Sequence, residues 1–140
     1  IMKHLLVVAF SLYMFVSFSC GSSTIDNNTA GIVSVKWYLA SLNGKAIENK
    51  SDDFEIPYVV FSKEKGFTGY TGCNNFSGNY KYENGKLSLD AGAITKKYCG
   101  DSFEIEFLDA LKKVSAFESK NNNLVLLNGG QEIMKYIPKK

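Results

Sequence analysis

Three cysteines, Cys20, Cys73 and Cys99, are the most reactive side chains in this sequence. A thiolate can attack a carbonyl, ligate a metal or pair with a second sulfur. Attack needs a general base, and a closed zinc site needs four ligands. The only histidine is His4, and all 16 basic residues are lysine. His4 sits in the apolar leader described below, so the rest of the chain has no imidazole. No Ser-His-Asp or Cys-His arrangement can be drawn, and no arginine fork is available for a two-point grip on phosphate or carboxylate. The remaining carboxylates, lysines and tyrosines are not set off by spacing. The reading at this level is no enzyme, no metal and no cofactor.

Cys73 lies in the densest run of unusual residues, Thr68 to Tyr80, TGYTGCNNFSGNY, with Gly69, Gly72 and Gly78, Asn74 and Asn75, and three aromatics. Ordinary strands avoid Gly and Asn, so this run implies tight backbone geometry between two extended pieces. Asn74 and Asn75 have two readings. Their carboxamides can hold the turn after Cys73, or they can form a small polar recognition patch beside Tyr70 and Phe76. In an exported chain Cys73 and Cys99 are expected to form a disulfide. Closing that loop would stabilise the fold by about 3.5 kcal/mol on the chain-entropy argument.

Export is suggested by the start of the chain. Lys3 and His4 precede an apolar run from Leu5 to Phe18, and Ser19-Cys20-Gly21 follows. That is the layout of a secretory signal, too short for a comfortable membrane span. Cys20 after the apolar run resembles the lipobox of bacterial lipoproteins, whose cysteine is acylated; Ser17 departs from the aliphatic usual there. Ser17 and Ser19 also suit ordinary cleavage, which would give a soluble secreted or periplasmic product. Residues 1–19 are therefore read as a signal peptide, 20–31 as a flexible Gly/Ser/Thr/Asn tether, and 32–140 as one domain. As a coil, the tether would span roughly 18 Å. With 16 basic against 14 acidic residues, the charge makes no case for nucleic acid.

The elements that must position these residues are mostly strands. Val33, Val35, Trp37 and Leu39 alternate with polar neighbours, giving a half-buried strand with Trp37 as a core anchor. Asn43-Gly44 is a turn into a short return strand, Lys45 to Ile47. Asn49 to Glu55 reads as a loop. Tyr58 to Phe61, Phe67 to Tyr70, Asn79 to Tyr82 and Lys86 to Leu89 read as strands, the last two joined across Asn84-Gly85, a strong hairpin signal. Ala91 to Ala93 reads as irregular, and Ile94 to Tyr98 as extended. Phe103, Phe107, Leu108, Leu111 and Val114 then recur at helical spacing. Asp101 and Glu104 are placed for a capping box, and Lys112 and Lys113 suit the last turn. Strands at Ala116 to Ser119, Leu124 to Leu127 and Ile133 to Ile137 complete a meander. The expected fold is mainly β: a small antiparallel barrel-like domain of about eight strands with one α-helix.

These residues also resemble a known family. Trp37-Tyr38-Leu39, Gly44, Phe61, Gly69, Gly72-Cys73-Asn74-Asn75-Phe76, Gly78, Tyr80, Ile94-Thr95 before Cys99, and a helix with Glu104, Phe107-Leu108 and Leu111 are similar in order and spacing to the META domain of HslJ-like heat-inducible bacterial lipoproteins. Lys97-Tyr98 and Gly100 depart from that pattern. The resemblance implies a cell-envelope lipoprotein of the outer membrane, held by lipid on Cys20, with Cys73, Asn74 and Cys99 as framework. It implies stress response or envelope integrity through an envelope protein partner, and no catalytic site. Two alternatives remain: a carrier of an apolar ligand in the barrel interior, and a hydrolase or protease inhibitor presenting loops at Asn121 or Asn128.

Overall fold

The computed structural model describes residues 28–48, 55–100 and 102–138. The leader, Cys20, most of the tether, residues 49–54 of the acidic loop and Asp101 lie outside them. The chain runs β1 (Lys36–Leu42), β2 (Lys45–Ala46), β3 (Tyr58–Phe61), β4 (Gly66–Tyr70), β5 (Asn75–Glu83), β6 (Lys86–Ile94), α1 (Phe103–Lys113), β7 (Ala116–Lys120), β8 (Asn123–Asn128) and β9 (Gln131–Pro138). The strands form one sheet in the order β6-β5-β4-β3-β1-β9-β8-β7, with β2 on β1.

Short-range chemistry explains most of this order. Asn84 and Gly85 take φ of 52° and 77°, the paired positive values of a turn whose twist matches the flanking strands. Asn43-Gly44, Asn121-Asn122 and Gly129-Gly130 repeat the device, so four of the strand connections are tight two-residue turns. Asn121 belongs to one of these turns and Asn128 flanks another.

Several boundaries differ from the sequence reading, among them the start of β5 at Asn75 rather than Asn79. Ser34 adopts φ 62° and interrupts the first strand. Val33 instead makes an isolated parallel bridge to Phe61, and regular pairing starts at Lys36. The chain before it turns onto the domain, with Thr29 buried and the Ile32 N–H donating to the Thr29 carbonyl at 3.1 Å. The stretch from Ala91 to Ala93 is strand, because β6 continues to Ile94 across a register shift opposite Phe76 and Ser77. At α1 the N-cap is Ser102, and its side chain makes no capping hydrogen bond; Glu104 is engaged elsewhere.

The sheet curls without closing into a barrel. Its two ends approach each other: the Leu87 N–H of β6 donates to the carbonyl of Ser115, just before β7, at 2.9 Å, and the rings of Tyr82 on β5 and Phe117 on β7 lie 5.4 Å apart. No ladder forms between β6 and β7. The concave side is filled by side chains. Phe61 packs against Phe67 and Tyr80 at ring distances of 5.1 and 5.2 Å, and Phe107 of α1 reaches Phe76 at 6.4 Å. Leu111, Leu124, Leu126, Met134 and Tyr136 are fully buried in the same core. Trp37 anchors the core as expected, its indole N–H donating to the Ile32 carbonyl at 2.9 Å.

Tyr136 makes alkaline stability testable. Burial pushes its hydroxyl well above the ordinary value of 10.0, while the unfolded chain ionises near that value. Above pH 10 the unfolded state therefore binds fewer protons, and stability falls as pH rises. Urea unfolding at pH 8 to 11 should show this slope, and Tyr136→Phe should flatten it.

Candidate functional site

The unusual run at Thr68 to Tyr80 becomes a turn, Thr71 to Asn74, between β4 and β5. Thr71 starts it: its N–H donates to the Asn74 carbonyl at 2.9 Å, and its Oγ1 accepts the Asn74 N–H at 2.9 Å and the Cys73 N–H at 3.2 Å. Thr71 and Asn74 are 0% and 2% exposed, so two polar side chains are committed to the interior. Such groups must find partners there.

Asn74 finds most of its partners on other segments, its Nδ2 also donating to the neighbouring Cys73 Sγ at 3.4 Å. Its Oδ1 accepts the Lys97 N–H at 2.7 Å and the Thr95 hydroxyl at 2.9 Å. Its Nδ2 donates to the Lys97 carbonyl at 3.0 Å and to Glu104 Oε2 at 3.1 Å. The other carboxylate oxygen of Glu104 accepts the Thr71 hydroxyl at 2.8 Å. One carboxamide therefore joins the β4–β5 turn, the segment after β6 and the first turn of α1. Glu106 extends the clamp, accepting the Asn43 carboxamide at 2.8 Å. Both first-turn carboxylates of α1 also sit at the positive end of the helix dipole.

Cys73 and Cys99 are disulfide-bonded with Cα atoms 5.9 Å apart, as the sequence reading expects. The bridge ties two of the three segments that Asn74 joins, the β4–β5 turn and the segment after β6. Replacing both cysteines by alanine should cost about 3.5 kcal/mol, read as a lower urea midpoint.

The two asparagines separate. Asn74 is buried and consumed by internal bonds. Asn75 begins β5, is exposed, and contributes its main chain: its N–H donates to Thr95 Oγ1 at 3.1 Å, and its carbonyl accepts the Thr95 N–H at 3.0 Å. Thr71, Thr95 and Glu104 were missed as partners of Asn74. A Thr three residues before an Asn in a turn was the one local signal.

Elsewhere, an open groove of about 780 Å³ borders the β5–β6 hairpin, lined by Lys65, Tyr80, Tyr82 and Asn84 among others. Lys81 and Glu83 at its wall pair with each other at 3.1 Å. Among the described residues no group of His, Cys, Asp and Glu could hold a metal ion.

The model of the META domain matches residues 30–140. The chain belongs to the META domain family. In this META domain the Gly-Cys-Asn-Asn motif is thus the turn whose Asn and Cys lock the segment after β6. Solved structures share the fold. A protein from Burkholderia xenovorans solved by NMR has TM-score 0.60 at 20% identity, covering 100% of this chain and 99% of that one. Another NMR structure has TM-score 0.58 at 23% identity, with coverage of 81% and 96%. A DUF4847 family protein from Bacteroides vulgatus has TM-score 0.56 at 16% identity, with coverage of 76% and 93%. No curated protein matches the chain.

Proposed function

We propose that this META domain protein is a non-enzymatic lipoprotein of the cell envelope, held by lipid on Cys20 and acting through protein contacts in stress response or envelope integrity. The observation that carries the non-enzymatic part is the fate of the motif. Asn74, Thr71 and Glu104 satisfy one another and the main chain of Lys97, and the two sulfurs are joined, so the densest polar cluster has no group left to act on a substrate. The envelope part rests on the leader and on Ser19-Cys20-Gly21. A filled concave face speaks against the carrier alternative. Outer-membrane placement on either face fits a domain held by a short tether. Labelling cells with a palmitate analogue should mark the wild type and leave Cys20→Ala unmarked. An unlabelled wild type would end the lipoprotein reading.

A further inference from the structure

The two sulfurs of the bridge stand in unlike surroundings. Cys73 is 8% exposed, and the backbone just before it is packed: a Cβ at Gly72 would meet Pro57 Cγ at 3.3 Å and the Phe103 ring at 3.7 Å. Cys99 is exposed, as are Lys96, Lys97, Tyr98 and Gly100 around it, with Tyr98 93% exposed. A Cβ at Gly100 would meet only the Tyr98 ring, at 4.0 Å. One end of the bridge is walled in and the other opens to solution.

Thiol–disulfide exchange follows such differences. The incoming thiolate must reach the sulfur it attacks, and the other sulfur must take the departing electron pair. Access favours attack at Cys99. The surroundings of Cys73 suit it as the leaving group in either protonation state. Asn74 Nδ2 already donates to its Sγ and would face a thiolate there. The Lys97 carbonyl oxygen lies 3.4 Å from the same sulfur and could accept from a thiol.

Opening the bridge also leaves the neighbouring ties in place. The Asn74 carboxamide still holds Lys97 through its N–H and carbonyl, and Thr95 through its hydroxyl. That clamp ends two residues short of Cys99, so release at Cys99 frees the chain beyond the clamp without undoing it.

We propose that Cys99 is a site of reversible S-thiolation by a small cysteine-type thiol, with Cys73 as the resolving cysteine. The thiolate RS⁻ attacks Cys99 Sγ. The Cys73–Cys99 bond breaks, its electron pair leaves on Cys73 Sγ, and an RS–Cys99 bond forms. One disulfide replaces another, so no further oxidant or reductant is needed. In the return step the Cys73 thiolate attacks Cys99 Sγ and expels RS⁻. This goes beyond the envelope reading and holds whether or not Cys20 is acylated.

The test incubates the oxidised full chain in detergent with reduced glutathione, quenches with acid and maps the cysteines by mass spectrometry, which separates Cys20 from the other two. The adduct should fall on Cys99, with Cys73 recovered as a free thiol. The rate of opening should rise in proportion to glutathione and stay unchanged at urea concentrations below the unfolding transition. With glutathione disulfide as the probe, Cys99 in Cys73→Ser should react at least about tenfold faster than Cys73 in Cys99→Ser, and the two rates should converge in unfolding urea. The proposal is overturned by an adduct on Cys73, by no adduct, by opening that low urea accelerates, or by equal rates in the folded variants.

Discussion

Asn74→Asp should destabilise the domain by about 4 kcal/mol or more at neutral pH, a large share of the roughly 5–15 kcal/mol that holds a domain of this kind folded. The substitution keeps size and shape but removes the Nδ2 donor that serves the Lys97 carbonyl and Glu104 Oε2. It also sets a second carboxylate against Glu104 where only the carboxamide hydrogen now separates them. The loss should shrink as pH falls, because a proton shared by the two carboxyls restores a donor and removes the repulsion. Asn74→Ala should lose about 3 kcal/mol through unsatisfied partners, with little dependence on acid pH. Asn75→Ala, one residue along, should stay within about 0.5 kcal/mol. Urea unfolding of the three variants at pH 7 and pH 4 reads all of this. An Asn74→Asp midpoint equal to wild type at pH 7 would remove the clamp.

Gly78→Ala should lose about 3 kcal/mol for a different reason. A Cβ at Gly78 would run into the Asp90 carbonyl oxygen and come within 2.6 Å of the Ala91 carbonyl carbon and 2.7 Å of the Gly92 nitrogen. All three are main-chain atoms of the paired strand β6, so no side chain can swing aside; the ladder itself must move. Gly31→Ala is the control, because nothing lies within 4 Å of its added carbon. A Gly78→Ala midpoint within experimental error of that control would contradict the close strand approach.

Much of the fold is legible in the sequence because its causes are local. Asn-Gly, Asn-Asn and Gly-Gly pairs set the hairpin turns through their own φ values. Phe103, Phe107 and Leu111 betray the helix by spacing, and two cysteines in a chain read as exported suggest their own pairing. The misread parts depend on distant residues. The continuation of β6 through Ala91 to Ala93 is set by pairing with β5, where small residues allow the strands to approach. Glu104 looks like half of a capping box from its spacing, yet its carboxylate bonds residues 30 and 33 positions away. The approach of the two ends of the sheet, through one main-chain bond from Leu87 to Ser115 and a ring contact of Tyr82 with Phe117, is likewise recorded by no periodicity. For Asn74 and Asn75, strand alternation was the available clue, since Asn75 shares the outward row of Tyr70 and Asn74 precedes it in the turn.

The central claim is that the Asn74 carboxamide fixes the segment after β6 to the rest of the domain. Amide hydrogen exchange at Lys97 tests it most directly, because this exposed residue donates its N–H to Asn74 Oδ1 at 2.7 Å. The Lys97 amide should exchange at least ~100-fold more slowly than that of Tyr98, keep that protection when the disulfide is reduced, and lose it in Asn74→Ala. A Lys97 amide that exchanges as fast as that of Tyr98 in the oxidised wild type would contradict the claim.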